Sequence, residues 1–112
     1  MIWPGAFSLT GPTALEAIEE FVLDRVLLGV TGIDVEYGAT MIELEEAAVS
    51  RMMVRQAREV IVVADSSKVG MTSRAVICGI QKINVLITDN GIPAGAKTEL
   101  ERHGVRILIA DL

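Results

Sequence analysis

The chain has 112 residues, 51% hydrophobic but only 4% aromatic, with ten basic against fifteen acidic side chains and a formal charge of −5. That length suits one modest domain with a core of Val, Ile, Leu, Ala and Met. The acidic balance and the lack of a basic run argue against nucleic-acid binding by this segment, because such affinity rests largely on Lys and Arg neutralising phosphates. A lone cysteine, Cys78, excludes an internal disulfide. No apolar stretch approaches the ~20 residues needed to span a bilayer. The first five residues have neither the basic region nor the apolar core of a signal peptide. These features point to a cytoplasmic protein.

Residues 1–12 are uncharged and broken by Pro4, Gly5, Gly11 and Pro12, and Trp3 in this stretch is a candidate subunit contact. Thr13 and Glu16 have capping-box spacing and should open a helix running to about Val22. Val26 to Thr31 reads as the first strand, followed by Gly32-Ile33-Asp34 and a loop through Tyr37 and Gly38. Thr40 and Glu43 form a second capping box before a helix over about 42–58, whose core-facing residues should be Leu44, Ala47, Ala48 and Met52. Further strands are expected at Val60 to Ala64, Ala75 to Ile77, Asn84 to Thr88 and Val105 to Ile109. Pro93 and Gly104 should bracket a helix as its first helical and C′ residues.

Four of the apolar runs lead into an aspartate: Asp34, Asp65, Asp89 and Asp111. Short continuous Val/Ile/Leu runs suit strands buried on both faces, as in parallel sheets. The alternation of strands and helices therefore predicts an α/β fold with a mostly parallel sheet flanked by helices. In open sheets of this kind ligands bind outside the carboxyl ends of the strands. The four aspartates should then share that edge.

Asp65-Ser66-Ser67-Lys68 combines an acceptor, two hydroxyls and a cation, which suits a small polyhydroxy anion such as a sugar phosphate. The same residues also suit a simple turn or cap. Gly32 before Asp34 would let a ligand approach the backbone, although Asp34 could equally be a turn aspartate. Thr40, Glu43 and Glu45 open a helix, and capping accounts for the first two; Glu45 would be a rim residue. His103 has no Cys or second His with which to bind a metal, and Cys78 in an apolar stretch reads as a packing residue. No metal site or cofactor motif is present.

In order, SLTGP (8–12), LLGVTGIDVEYGAT (27–40), LEEAAVSRMMVRQAREVIVVADSSKVG (44–70) and INVLITDNGIP (83–93) resemble the effector-binding domain of DeoR-family bacterial transcriptional regulators. The resemblance extends from about Ser8 to Ile109. It implies a Rossmann-like sensor, similar to the ribose-5-phosphate isomerase-like fold and incomplete at its N-terminus. It also implies a phosphorylated sugar as effector, repression relieved by that metabolite, homo-oligomeric assembly, and DNA contact only through a winged-helix domain absent from these residues. Ligand contacts are implied at Gly32, Asp34, Asp65 and Lys68, with Thr40 and Glu45 beside them.

Two departures bear on chemistry. Tyr37-Gly38-Ala39-Thr40 stands where the isomerases carry a glycine-rich lysine loop, and Ser50 stands near the place of their catalytic glutamate. Both favour sensing over turnover. An isomerase-like enzyme remnant and a pure oligomerisation module are the rival expectations.

Overall fold

The computed structural model describes residues 23–110. The helix expected before Val22, Trp3 and Asp111 lie outside the described residues. Four parallel strands make the main sheet, in the order β1 (Leu23–Gly29), β4 (Ala57–Val63), β6 (Val85–Thr88) and β7 (Arg106–Ile109). Helix α1 (Leu44–Gln56) makes the crossover from β1 to β4, and α2 (Ala94–Arg102) leads from β6 to β7. The interior of the sheet is apolar on both faces. Leu28, Val62 and Leu86 are wholly or almost wholly buried, each such side chain contributing roughly 1.5–3 kcal/mol. The expected α/β architecture with a largely parallel sheet is therefore present.

A second sheet was not legible in the sequence. β2 (Gly32–Asp34), β3 (Gly38–Met41) and β5 (Ala75–Cys78) form an antiparallel three-stranded sheet in the order β2-β3-β5. A three-residue turn, 35–37, joins β2 to β3. Helix α1 packs on β5 and β3 of this sheet and on β1 and β4 of the other, so it is the shared filling between them.

Several local expectations change. The second capping box does not form: Thr40 is a wholly buried residue of β3, and the N-cap of α1 is Glu43, which makes no side-chain capping bond. The Thr40 hydroxyl is instead committed to the loop before β5, accepting the Ser73 amide (2.8 Å). The buried stripe of α1 is Ala47, Val49, Ser50, Met53 and Val54, while Leu44 is 58% exposed. With a sheet on each side, the helix turns a face one residue further round toward the core than the Leu44–Met52 stripe predicts. Arg58 falls in β4 rather than in the last turn of the helix. Pro93 is the N-cap of α2 rather than its first helical residue, and Gly104 (φ +93°) follows the helix as expected.

Candidate functional site

The carboxyl ends of β4 and β6 lie side by side, because the Ala64 amide donates to the Ile87 carbonyl (3.1 Å). Beyond β4 the chain makes one 3₁₀ turn, Ser66–Lys68, capped by Asp65. The Asp65 carboxylate accepts the Ser67 amide (2.9 Å) and the Ser67 hydroxyl. Its other oxygen faces the Lys68 ammonium at 3.7 Å. The Ser67 hydroxyl and then its amide hold Asp65 below the ordinary carboxylate pKa. Lys68 adds to this, and the charge of Asp89 opposes it.

Asp89 is the residue that ties the two strand ends together. Its Oδ2 accepts the Ser66 amide (2.9 Å) and its Oδ1 accepts the Gly91 amide (2.8 Å). These bonds, that from Ser66 foremost, also hold its pKa below the ordinary value. The strand-end signal that picks out Asp65 applies equally to Asp89.

This arrangement fixes what is available to a ligand. The Ser66 and Ser67 amides are already used by the two carboxylates. The Lys68 side chain remains 38% exposed, and its 3.7 Å contact with Asp65 exceeds hydrogen-bond range. An ammonium has three donors, so Lys68 can turn to an incoming anion, whereas the Ser67 hydroxyl is already given to Asp65. Locally, one cation faces two carboxylates.

Asp34 is placed differently from the expectation of four aspartates on one sheet edge. It ends β2 in the small sheet, and β1 ends earlier, at Gly29. Its Oδ2 accepts the Glu36 and Tyr37 amides (3.0 and 3.1 Å), as a turn aspartate does. The site loop nevertheless reaches it: Ile33 bridges to Val69, and the Gly70 amide donates to the Ile33 carbonyl (2.8 Å). Residues 65–70 thus run from the Asp65–Lys68 pair to the flank of Asp34.

There a cleft of about 270 Å³ opens between β2 and α2, with Ile33, Asp34, Gly70, Gly95, Glu99 and Leu100 among its walls. Lys68 and Asp65 are not part of its lining.

Gly32 and Thr40 do not face open space. A Cβ on Gly32 would collide with the Met71 backbone and lie 2.8 Å from Thr40 Oγ1, so the close approach that glycine permits is made by the protein's own loop. Around it, Thr31 Oγ1 donates to the Thr40 carbonyl (3.2 Å) and lies 2.8 Å from Ser73 Oγ. These residues lock the 71–74 loop against β3. Glu45 is exposed in the first turn of α1. His103 caps the end of α2, with Nδ1 2.9 Å from the Glu99 carbonyl. Cys78 is buried, and burial pushes its thiol up to about 11. Among the described residues no group of three or more His, Cys, Asp or Glu could hold a metal ion, and no helix is long and apolar enough to cross a membrane.

Comparison with known proteins places this sequence in a family. Residues 3–90 match the DeoR C-terminal sensor domain. The chain is 38% identical over 104 residues to the HTH-type transcriptional repressor GlcR of Bacillus subtilis, covering 92% of this chain and 40% of that protein. It is 36% identical over 101 residues to the HTH-type transcriptional regulator GlpR of Haloferax volcanii, covering 90% and 40%. It is 35% identical over 102 residues to a putative aga operon transcriptional repressor of Escherichia coli, covering 91% and 38%. The chain thus spans about 40% of the length of these relatives. By the sensor match and by these relatives, the chain belongs to the DeoR family of transcriptional regulators.

Proposed function

We propose that the chain is the effector-sensing part of a cytoplasmic, homo-oligomeric transcriptional repressor of carbohydrate metabolism, and that its effector is a phosphorylated sugar bound at the carboxyl ends of β4 and β6. DNA contact would come from a helix-turn-helix segment of the kind the relatives' names specify. The observation that carries this is the Asp65–Lys68 pair, held at a strand end beside Asp89 with the cation loosely engaged. Lys68 contacts phosphate, and Asp65 and Asp34 accept hydrogen bonds from sugar hydroxyls. Gly32 and Thr40 act from behind, by fixing the 71–74 loop. Glu45 stands at the rim.

Sensing without turnover is supported by Ser50. It is buried, and its hydroxyl lies 3.7 Å from the Met41 sulfur, so the position related to a catalytic glutamate offers no carboxylate. Coupling between an effector and a distant site is typically about 1–3 kcal/mol. A change at one contact of this small site is therefore enough to alter a regulatory response.

A thermal-shift screen tests the proposal. A ligand at 100 times its dissociation constant adds about 2.7 kcal/mol of stability. Phosphorylated sugars are expected to raise the unfolding temperature, and the same sugars without phosphate are not. Equal shifts with both, or none with either, would reject a phosphosugar effector.

A further inference from the structure

We propose that the cleft between β2 and α2 receives the unphosphorylated end of the effector, and that Glu99, sharing the cleft with Asp34, selects a sugar phosphate that carries a free amino group. This rests on the effector site proposed above. Val69 and Gly70, which follow Lys68 directly in the chain, line the cleft, so the loop that carries Lys68 also forms one of its walls. At about 270 Å³ the cleft falls just below the roughly 300–1,000 Å³ common for ligand pockets. It is suited to one monosaccharide rather than a nucleotide.

The chemistry of the walls sets the preference. Ile33 and Leu100 are almost wholly buried and supply an apolar floor. Gly70 and Gly95 supply room without side chains. The charged groups in the lining are Asp34 and Glu99, both carboxylates, which only accept hydrogen bonds. A phosphate would be repelled from such a space, so it is directed outward to Lys68. A hydroxyl can donate to these carboxylates but leaves their charge uncompensated. An ammonium donates and neutralises, and a charge-assisted hydrogen bond is roughly twice as strong as a neutral one. Arg102 offsets part of the charge, but it engages Glu99 through Oε1 alone (3.1 Å), and the Glu99 side chain is 44% exposed.

Titration calorimetry on this chain with glucosamine 6-phosphate and glucose 6-phosphate tests the inference. The amino sugar is expected to bind about tenfold more tightly, the ratio that one charge-assisted bond in place of a neutral one supplies. Glu99→Gln should bring the two ligands to near parity, mainly by weakening the amino sugar. Arg102→Gln, which frees the carboxylate, should keep or widen the preference, separating the cleft role from the surface ion pair. Equal affinities in the unaltered protein, or a preference that survives Glu99→Gln, would overturn the inference. If both sugars bind equally and both lose affinity in Lys68→Ala, the cleft assignment fails while the effector site stands. If neither sugar binds, both fail.

Discussion

The two sheets of this molecule are held by different forces. The parallel sheet is a layer of Val, Leu and Ile side chains, with Leu28, Val62 and Leu86 side by side at the centre of its closed face. The small sheet has short strands and lends the core fewer large side chains, Ile33 and Ile77 foremost. It is fixed by Gly32 and Gly38, which let neighbouring backbone approach, and by the Thr31–Thr40–Ser73 hydroxyl network. The first is a general scaffold, tolerant of exchange among apolar residues of similar volume. The second depends on particular small and hydroxyl side chains, and it positions Asp34 and the loop leading from Lys68.

Substitutions can break this contrast in order of severity. Leu86→Ala, in the centre of the parallel sheet, should cost about 2–5 kcal/mol of stability in urea unfolding. Leu86→Met should cost under about 1.5 kcal/mol. In the small sheet, Gly38→Ala places a Cβ on a residue at φ +74° that would overlap the Cys78 carbonyl. Strain of that kind costs on the order of 1–3 kcal/mol before any backbone shift. Here an apolar replacement should fare no better than a polar one, unlike in the main sheet.

Thr40→Val keeps the volume but removes the acceptor of the Ser73 amide. A loss of roughly 1–3 kcal/mol follows from leaving that donor unsatisfied, with faster amide exchange at Ser73 as the readout.

Smaller effects sharpen the electrostatic side. Asp65 and Asp89 both have folded-state pKa values below their ordinary value of 3.8. Their stabilisation is therefore present above that value and is lost as pH falls through the lowered folded values. Acid unfolding should be less steep in Asp65→Asn and Asp89→Asn. Because Asp65 is exposed and Asp89 only half-buried, the change should be modest. Cys78 moves the other way. With its thiol raised to about 11 by burial, it should react slowly with thiol reagents at neutral pH until the chain unfolds.

What could be read from the residues follows the same division. Continuous apolar runs announced β1, β4, β6 and β7, because strands of a parallel sheet flanked by helices carry Val, Ile and Leu at successive positions and so leave a compositional mark. Gly32–Asp34 and Gly38–Met41 left none. Three- and four-residue strands rich in Gly, Ala and Thr look like loop, and their pairing is set by contacts with residues 71–78 far along the chain. The same long-range contact took Thr40 from the helix cap that its spacing suggested.

At the site, the Asp65–Lys68 segment stood out for its composition. Asp89 was marked by its strand end, but its bridge to Ser66 became visible only with β4 and β6 adjacent. Glu99 had no sequence signal at all. It is one carboxylate on an amphipathic helix, and only the position of α2 beside β2 gives it a cleft to face.

The most direct measurement compares the affinity of the protein and of Lys68→Ala for a hexose phosphate by titration calorimetry. A charged hydrogen bond contributes roughly 1.5–3 kcal/mol, so the substitution should weaken binding about tenfold or more. Binding of the same sugar phosphate with unchanged affinity in Lys68→Ala would contradict the placement of the effector at the ends of β4 and β6.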